Sequence, residues 1–206
     1  MLPFSRRRKT ADYKLSQTPM NAPTIRPSQD ADLQAITEIY AANVEHGAGT
    51  FEIDPPDQEE MTRRRADVLG KGLPWIVVEH DVGRGPEVLG YAYANHFRAR
   101  PAWRYALEDS IYLSPRAHRL GLGRLLLVEL VARCTALGAR QLLAVIGDSD
   151  NHGSVGVHRA CGFETLGVMR SVGWKFDRWL DVVMMQRMLG AGDTLAPTTD
   201  QPGAST

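Results

Sequence analysis

A turn rich in glycine and arginine lies between a short apolar strand and a long apolar helix, in the stretch "SPRAHRLGLGRLLLVELVARCTALGARQLLAVI" of residues 114–146. A helix that starts behind such a loop presents unpaired backbone N–H groups and the positive end of its dipole, which suits a phosphate group. Gly121 and Gly123 let the backbone approach a ligand closely, but they also suit a tight strand-to-helix connection that binds nothing. The turn by itself leaves both interpretations open.

The turn departs from two widespread nucleotide-binding motifs. A dinucleotide fingerprint would place its third glycine where Leu126 stands, and a P-loop would carry a lysine that this turn lacks. We therefore expect neither kind of nucleotide site.

Two further pairs of polar residues have spacings that suit binding or catalysis. His158 follows Asn151 by seven residues, or two helical turns, so both side chains would project from one helix face. Arg98 and Arg100 are two apart at the end of a predicted strand and would point to the same side, where their planar forks suit a carboxylate or phosphinate. A lone helical histidine is more often structural, and an isolated arginine pair is more often solvated.

The hydrophobic pattern predicts an order of strand, two helices, three strands, helix, strand, helix and then one or two strands. This order indicates a mixed α/β sheet with helices on both faces. The predicted elements include a strand at residues 24–27, helices over Asp30–Val44 and Asp57–Leu69, a hairpin of "PWIVVEH" and "EVLGYAYANH", a strand over Glu108–Leu113, the long helix after the turn, the buried strand "QLLAVI", a helix over Asn151–Cys161 and the strand "DVVMMQRM".

The composition is that of an ordinary globular domain, with 43% hydrophobic and 23% charged residues in a chain of 206. We expect one folded domain over residues 23–189, a disordered basic leader over residues 1–22 and a flexible tail over residues 190–206. The formal net charge of +0 argues against a general attraction to nucleic acid or anionic membranes, and it favours small-molecule chemistry.

The two cysteines and the lengths of the apolar runs indicate where in the cell the protein is located. Cys134 and Cys161 lie among apolar neighbours in helical patterns, as buried thiols of a reducing compartment do, and neither has metal-ligand spacing. No apolar run approaches the ~18 residues of a spanning helix, and the N-terminal segment lacks the apolar core of a secretory signal. We therefore expect a cytoplasmic protein.

Two separated motifs resemble those of the GNAT acyltransferase superfamily. "HRLGLG" is similar to its pyrophosphate loop, Arg/Gln-x-x-Gly-x-Gly/Ala, with His118 where the superfamily usually has Gln or Arg. "NHGSVGVHRACGF" is similar to its Asn-x-x-Ser/Ala-x-x-apolar-Tyr-x-x-x-Gly-Phe segment, with His158 at the Tyr position. "GTFE", "AYANHFRAR", "LEDSIYLSPR", "LAVIGDSDN" and "KFDRWLDV" look most like the phosphinothricin and methionine sulfoximine N-acetyltransferases, a branch that itself carries His at that Tyr position.

The resemblance implies the GNAT fold, a mostly antiparallel central sheet of six to seven strands whose splay forms a CoA-binding cleft. It implies acetyl-CoA as the donor, with the pyrophosphate at the turn amides and the pantetheine arm beside the strand that ends at Leu113. It also implies a homodimer that needs no metal and has no nucleic-acid or membrane partner. The implied donor-binding residues are Ile111, Tyr112, Leu113, His118, Arg119, Leu120, Gly121, Leu122, Gly123, Arg124, Asn151 and Ser154.

The implied reaction needs a base, because an amine attacks a thioester only when it is neutral. Glu108 is the candidate, since it begins the strand beside the thioester and partial burial would raise its pKa; the alternative is a rim carboxylate paired with Arg104 or another cation. Asp109 is the less favoured neighbour. His158 would protonate the departing thiolate or help to remove the amine proton. A backbone N–H near Leu113 would stabilise the thioester oxygen.

The resemblance also places the acceptor beside Phe51, Glu52, Phe97, Arg98 and Arg100, with Trp103 and Tyr105 as further candidate walls. Core packing competes for each aromatic residue. We expect transfer of an acetyl group from acetyl-CoA to the α-amino group of an amino-acid analogue such as phosphinothricin or methionine sulfoximine, with detoxification as the consequence. Two alternatives stay open: acetylation of another amine, including a protein N-terminus, and a non-catalytic CoA-binding sensor.

Overall fold

The computed structural model describes residues 22–117 and 119–197. His118, residues 1–21 of the expected leader and residues 198–206 of the expected tail lie outside the described residues. The described strands are β1 (Thr24–Pro27), β2 (Trp75–Asp81), β3 (Pro86–His96), β4 (Ala106–Leu113), β5 (Gln141–Gly147), β6 (Glu164–Lys175) and β7 (Arg178–Met188), and the α-helices are α1 (Leu33–His46), α2 (Gln58–Gly70), α3 (Leu122–Ala136) and α4 (His152–Ala160).

The strands form one seven-stranded sheet in the order β1-β2-β3-β4-β5-β7-β6. Neighbouring strands are antiparallel except β4 and β5, which are parallel. The predicted order of elements and the mixed, mostly antiparallel sheet are therefore confirmed. The last part of the chain supplies two strands, and β4 begins at Ala106, two residues before the predicted start.

The helices cover both faces of the sheet. Adjacent residues of β4 point to opposite faces: Tyr112 packs edge-on against Tyr40 of α1, whereas Leu113 contacts Gly123 of α3. The core between these layers is apolar and fully buried at positions such as Leu126 on α3. Within the described part of the chain, no helix is both long and apolar enough to cross a bilayer.

Strands β4 and β5 pair along only part of their length. Their parallel register runs from Ala106 opposite Gln141 to Asp109 opposite Ala144, and then the pairing ends. The last four residues of β4 and the last three of β5 continue without pairing to each other. The sheet therefore opens at this point, as the splayed cleft of the implied fold requires.

Candidate active site

A cavity of about 1010 Å³ occupies the opening between β4 and β5. Its walls come from both unpaired strand ends, from the loop of residues 47–51 that follows α1, and from the start of α4. Glu108, Asp109 and His158 all line it. The topology thus brings the two predicted catalytic side chains into one space.

The free edge of β4 presents backbone groups to this cavity. The N–H of Ser114 donates to Leu89 O, and the N–H of Phe97 donates to Ala106 O, so the antiparallel ladder with β3 is in regular register. In such a ladder alternate residues bond across it, which turns the N–H groups of Ile111 and Leu113 away from β3 and toward the opening. An extended amide-bearing chain can pair with such an edge.

The glycine turn leaves the start of α3 open. Gly121 is the N-cap with φ 76° and ψ 2°, a left-handed conformation that favours glycine, and no side chain among the described residues caps the helix. The first-turn N–H groups have no partner inside the helix, which suits an anion. Arg119 and Gly123 line the cavity.

The other predicted turn residues occupy different positions. Leu120 and Arg124 are exposed, and the side chain of Leu122 is fully buried in the core. The side chains of these three residues do not line the cavity, so only their backbone N–H groups could serve the predicted phosphate binding.

Asn151 and Ser154 begin α4 at the cavity wall. The Ser154 N–H donates to Asn151 Oδ1 at 3.2 Å, so Asn151 is the helix N-cap. Its Nδ2 donates to Gly147 O at 3.4 Å. Asn151 thus caps the helix, and both residues line the cavity.

The surroundings of Glu108 shift the pKa of its carboxylate. It is half-buried, and burial together with the charge of Asp109 raises its pKa, whereas Arg98 opposes this effect. A raised pKa brings a carboxylate closer to the range in which it exchanges protons near neutral pH.

His158 forms a buried pair with Asp109. Its Nε2 lies 2.9 Å from Asp109 Oδ2, and its Nδ1 donates to Ser154 O at 2.8 Å, while the ring packs edge-on against Phe163. Burial alone lowers the pKa of His158, but the hydrogen bond and charge of Asp109 outweigh it, so the net pKa is raised. Both ring nitrogens face acceptors, which favours the imidazolium form. Asp109 Oδ1 is buried without a hydrogen-bond partner among the described residues.

Phe51 and Glu52 are adjacent in sequence but have different surroundings. Phe51 lines it, and its ring packs against Gly147 and Gly173. Glu52 instead accepts hydrogen bonds from Tyr40 at 2.9 Å and Arg64 at 2.6 Å, outside the cavity lining. The structure therefore places Phe51, and not Glu52, at the cavity wall.

The predicted arginine pair lies on a loop. Strand β3 ends at His96, as predicted, and Arg98 and Arg100 follow it on the loop; both side chains are exposed and neither lines the cavity. Arg98 stacks over the Phe97 ring at 4.3 Å, close enough to Glu108 to affect its pKa.

The aromatic residues of this loop cluster with one another. The rings of Phe97 and Trp103 meet at 5.3 Å, and Trp103 is 44% exposed. Tyr105 is half-buried beneath Arg104. None of these rings lines the cavity.

Several cavity residues were not predicted from the sequence. Asn43 lines the cavity and donates from Nδ2 to Leu113 O at 3.1 Å, while Asp148 and Arg178 form an ion pair at its far end. Asn43 interrupts the apolar stripe of α1, and that interruption is a signal that the sequence offers. Within residues 22–117 and 119–197, no three His, Cys, Asp or Glu side chains are grouped to hold a metal ion.

Comparisons with known proteins agree with this geometry. The family model described as "Acetyltransferase (GNAT) family" matches residues 34–163. The phosphinothricin N-acetyltransferase of Alcaligenes faecalis is 53% identical over 84% of this chain and 86% of its own. The L-methionine sulfoximine/L-methionine sulfone acetyltransferase of Pseudomonas aeruginosa is 36% identical over 79% of this chain and 92% of its own. The crystal structure of a phosphinothricin acetyltransferase from Sinorhizobium meliloti in complex with AcCoA has a TM-score of 0.83 at 46% identity, covering 89% of this chain and 99% of that one.

Proposed function

The chain belongs to the acetyltransferase (GNAT) family, and from this membership we propose that it acetylates the α-amino group of a small amino-acid analogue of the phosphinothricin or methionine sulfoximine type. It is an acetyl-CoA-dependent N-acetyltransferase, whose products are the N-acetylated acceptor and CoA. The observation that carries the proposal is the single cavity that joins the open edge of β4 to the half-buried Glu108. Acetylation removes the ammonium charge by which the target of such an inhibitor recognises it, so detoxification is the consequence.

The residues present fit acetyl-CoA. The start of α3 behind Gly121 suits its pyrophosphate, and the N–H of Ile111 suits an amide of its pantetheine arm. Bound there, the thioester supplies an activated acetyl group. His118 belongs to the same proposed turn but lies outside the described residues.

Glu108 acts as the general base. It takes the proton that the acceptor ammonium must lose, directly or through one water, and the neutral nitrogen then attacks the thioester carbon. The N–H of Leu113 donates to the thioester oxygen as that oxygen gains charge, an effect worth ~3 kcal/mol for one such donor.

His158 serves the departing sulfur. When the carbon–sulfur bond breaks, the thiolate needs a proton, and His158 supplies it, because the hydrogen bond and charge of Asp109 raise the pKa of the ring and so favour the imidazolium. The nitrogen loses its second proton to solvent as the amide forms, and solvent restores the proton on the His158 ring, so the overall reaction releases one proton. Asn151 and Ser154 hold the start of α4 against the donor, and Asn43 fixes the β4 edge through Leu113.

Arg98 and Arg100 provide positive charge at the acceptor side. Their exposure on the loop after β3 leaves both guanidinium groups able to meet the carboxylate or phosphinate of an incoming acceptor. Phe51 forms the apolar wall opposite. Phe97 positions Arg98 by stacking beneath it.

The enzyme acts as a homodimer in the cytoplasm, where acetyl-CoA is made and thiols stay reduced. Cys134 and Cys161 are free and buried, as that compartment permits. The edge strand β6 exposes several large apolar residues, and such exposure on a sheet edge is typical of an interface. Its exposed apolar residues are Leu166, Val168, Met169, Val172 and Trp174.

An acceptor screen with acetyl-CoA and thiol detection tests the proposal. We expect kcat/KM for phosphinothricin or methionine sulfoximine to exceed that for polyamines, aminoglycosides and peptide N-termini by at least about 100-fold, because a site that bonds an acidic group rejects acceptors lacking it. A higher value for peptide N-termini would favour the protein-acetylating alternative. Binding of acetyl-CoA with no thiol release from any acceptor would favour the sensor.

A further inference from the structure

The β6–β7 hairpin reaches back to the cavity through the residues that flank its turn. Phe176 and Asp177 form the turn with φ of 54° and 53°, as in a two-residue type I′ hairpin, and Lys175 faces Arg178 across it. Arg178 pairs with Asp148 at the end of β5, and Lys175 bonds to the loop after α1. The hairpin is thus tied to the cavity wall at two points.

Lys175 is an unusually buried cation, with 4% of its surface exposed. Its Nζ donates to Gly47 O and to Thr50 O, each at 3.0 Å. Burial lowers its pKa. A buried ammonium is costly unless it is hydrogen-bonded, and these two bonds join the hairpin to carbonyls 128 and 125 residues away in sequence.

The loop of residues 47–51, here called the acceptor loop, packs closely against glycines of β5 and β6. The Phe51 ring packs where a Cβ on Gly173 would stand, and the Ala48 carbonyl packs where a Cβ on Gly147 would stand. A Cβ on Gly49 would lie 3.6 Å from the Nδ2 of the α4 N-cap. Each residue of the acceptor loop lines the cavity, so its position sets the shape of that wall.

We propose that Lys175 is a positioning residue for the acceptor. By bonding carbonyls near both ends of the acceptor loop, it holds Phe51 and the cavity wall in the place that the acceptor needs. The backbone N–H groups proposed for the donor lie elsewhere, on β4 and at the start of α3, and Lys175 bonds to neither element. The proposal rests on the proposed function, because it takes the wall formed by the acceptor loop as the acceptor side.

The test compares Lys175→Met with Lys71→Met, a matched control in which the lysine is half-exposed, pairs with Asp67 and lies outside the cavity lining. We expect Lys175→Met to raise the KM of the acceptor about 10-fold or more, with kcat and the KM of acetyl-CoA within about 2-fold of wild type. Lys71→Met should change none of these constants. An unchanged acceptor KM in folded Lys175→Met would overturn the proposal.

Hydrogen exchange separates this proposal from the proposed function. In Lys175→Met the amides of residues 47–51 should exchange at least about 10-fold faster, while those at the start of α3 keep their wild-type rates. If the wild-type protein acetylates no amino-acid analogue, the proposed function fails. The role of Lys175 is tested separately: it is refuted if the amides of residues 47–51 exchange in Lys175→Met at the wild-type rate.

A second variant covers the case in which Lys175→Met does not fold. Gly173→Ala displaces Phe51 while Lys175 stays in place, and it should raise the KM of the acceptor. An unchanged acceptor KM in Gly173→Ala also refutes the role of Lys175.

Discussion

At the residue scale, the pKa of the proposed base Glu108 depends on its burial and on two charged neighbours, Asp109 and Arg98. Burial and Asp109 raise the pKa of Glu108, whereas Arg98 lowers it. The base works only when ionised, so its activity is present above its pKa and is lost as pH falls through that value. Any change that raises this pKa further moves the acid limb of the rate profile to higher pH.

Arg98→Ala is therefore expected to shift the acid limb of kcat/KM to higher pH. The matched control is Arg100→Ala, which removes an equally exposed arginine from the same loop but not the charge that acts on Glu108. Rate profiles from pH 5 to 9 check this. A shift of equal size in both variants, or in neither, would show that Arg98 does not tune the base.

Glu108→Gln is expected to keep the fold and the affinity for acetyl-CoA, because Gln preserves shape and hydrogen bonding. Its kcat should fall by roughly 10² to 10⁴ near neutral pH, with partial recovery at higher pH where more acceptor is already deprotonated. His158→Phe should show no such recovery, since its loss affects the thiolate. Full activity of Glu108→Gln with a wild-type profile would move the search for the base to Asp109 or to a water held by His158.

The sequence predicted which candidate residues share one cavity better than it predicted their contacts. Glu108 and His158 were named from their motifs and lie in one cavity. The Asp109–His158 bond joins residues 49 apart, and no local pattern reports such a contact. The strand end at His96 is predicted correctly, but neither Arg98 nor Arg100 beyond it lines the cavity, because the path of a loop depends on contacts that the local pattern does not contain.

At the element scale, the start of α3 is the part of the donor site most open to test. A Cβ on Gly121 would meet no atom within 4 Å, so size alone is tolerated, and Asn and Asp both accept left-handed backbone. Gly121→Asp should raise the KM of acetyl-CoA at least about 10-fold above that of Gly121→Asn, because only Asp brings a negative charge to the phosphate site. The acceptor KM should change little in both.

Steady-state kinetics with both substrates varied distinguishes these outcomes. Equal acetyl-CoA KM values for the two Gly121 variants would reject the phosphate site at this turn.

Hydrophobic periodicity predicts the elements that have a buried face, but it does not predict the exposed strand β6. Helix α1 and strand β5 follow their apolar patterns closely. The sequence predicts one or two final strands and does not define β6, whose apolar residues, among them Val172 and Trp174, are exposed and whose register is broken by bulges. The sequence identifies the acceptor loop by its "GTFE" motif but does not predict its contacts. These contacts are made by Gly147, Gly173 and Lys175, which lie on strands distant in sequence.

At the scale of the whole molecule, the apolar edge of β6 predicts self-association. Sedimentation velocity at micromolar concentration should give a species of twice the 22.8 kDa chain mass. Leu166→Arg combined with Val172→Arg should shift it to monomer, because charge on an apolar edge disfavours pairing. Leu195→Arg, at a leucine that is 67% exposed in the C-terminal segment, should leave it dimeric. A monomeric wild type would contradict the dimer.

Product analysis of the wild-type reaction tests the central claim most directly. Phosphinothricin and acetyl-CoA should yield one equivalent of free CoA thiol for each molecule of product, and tandem mass spectrometry should place one acetyl group on the α-amino nitrogen. Thiol release without N-acetylated product, or an acetyl group found on any other atom, would contradict transfer from the cleft between β4 and β5 to an α-amino group.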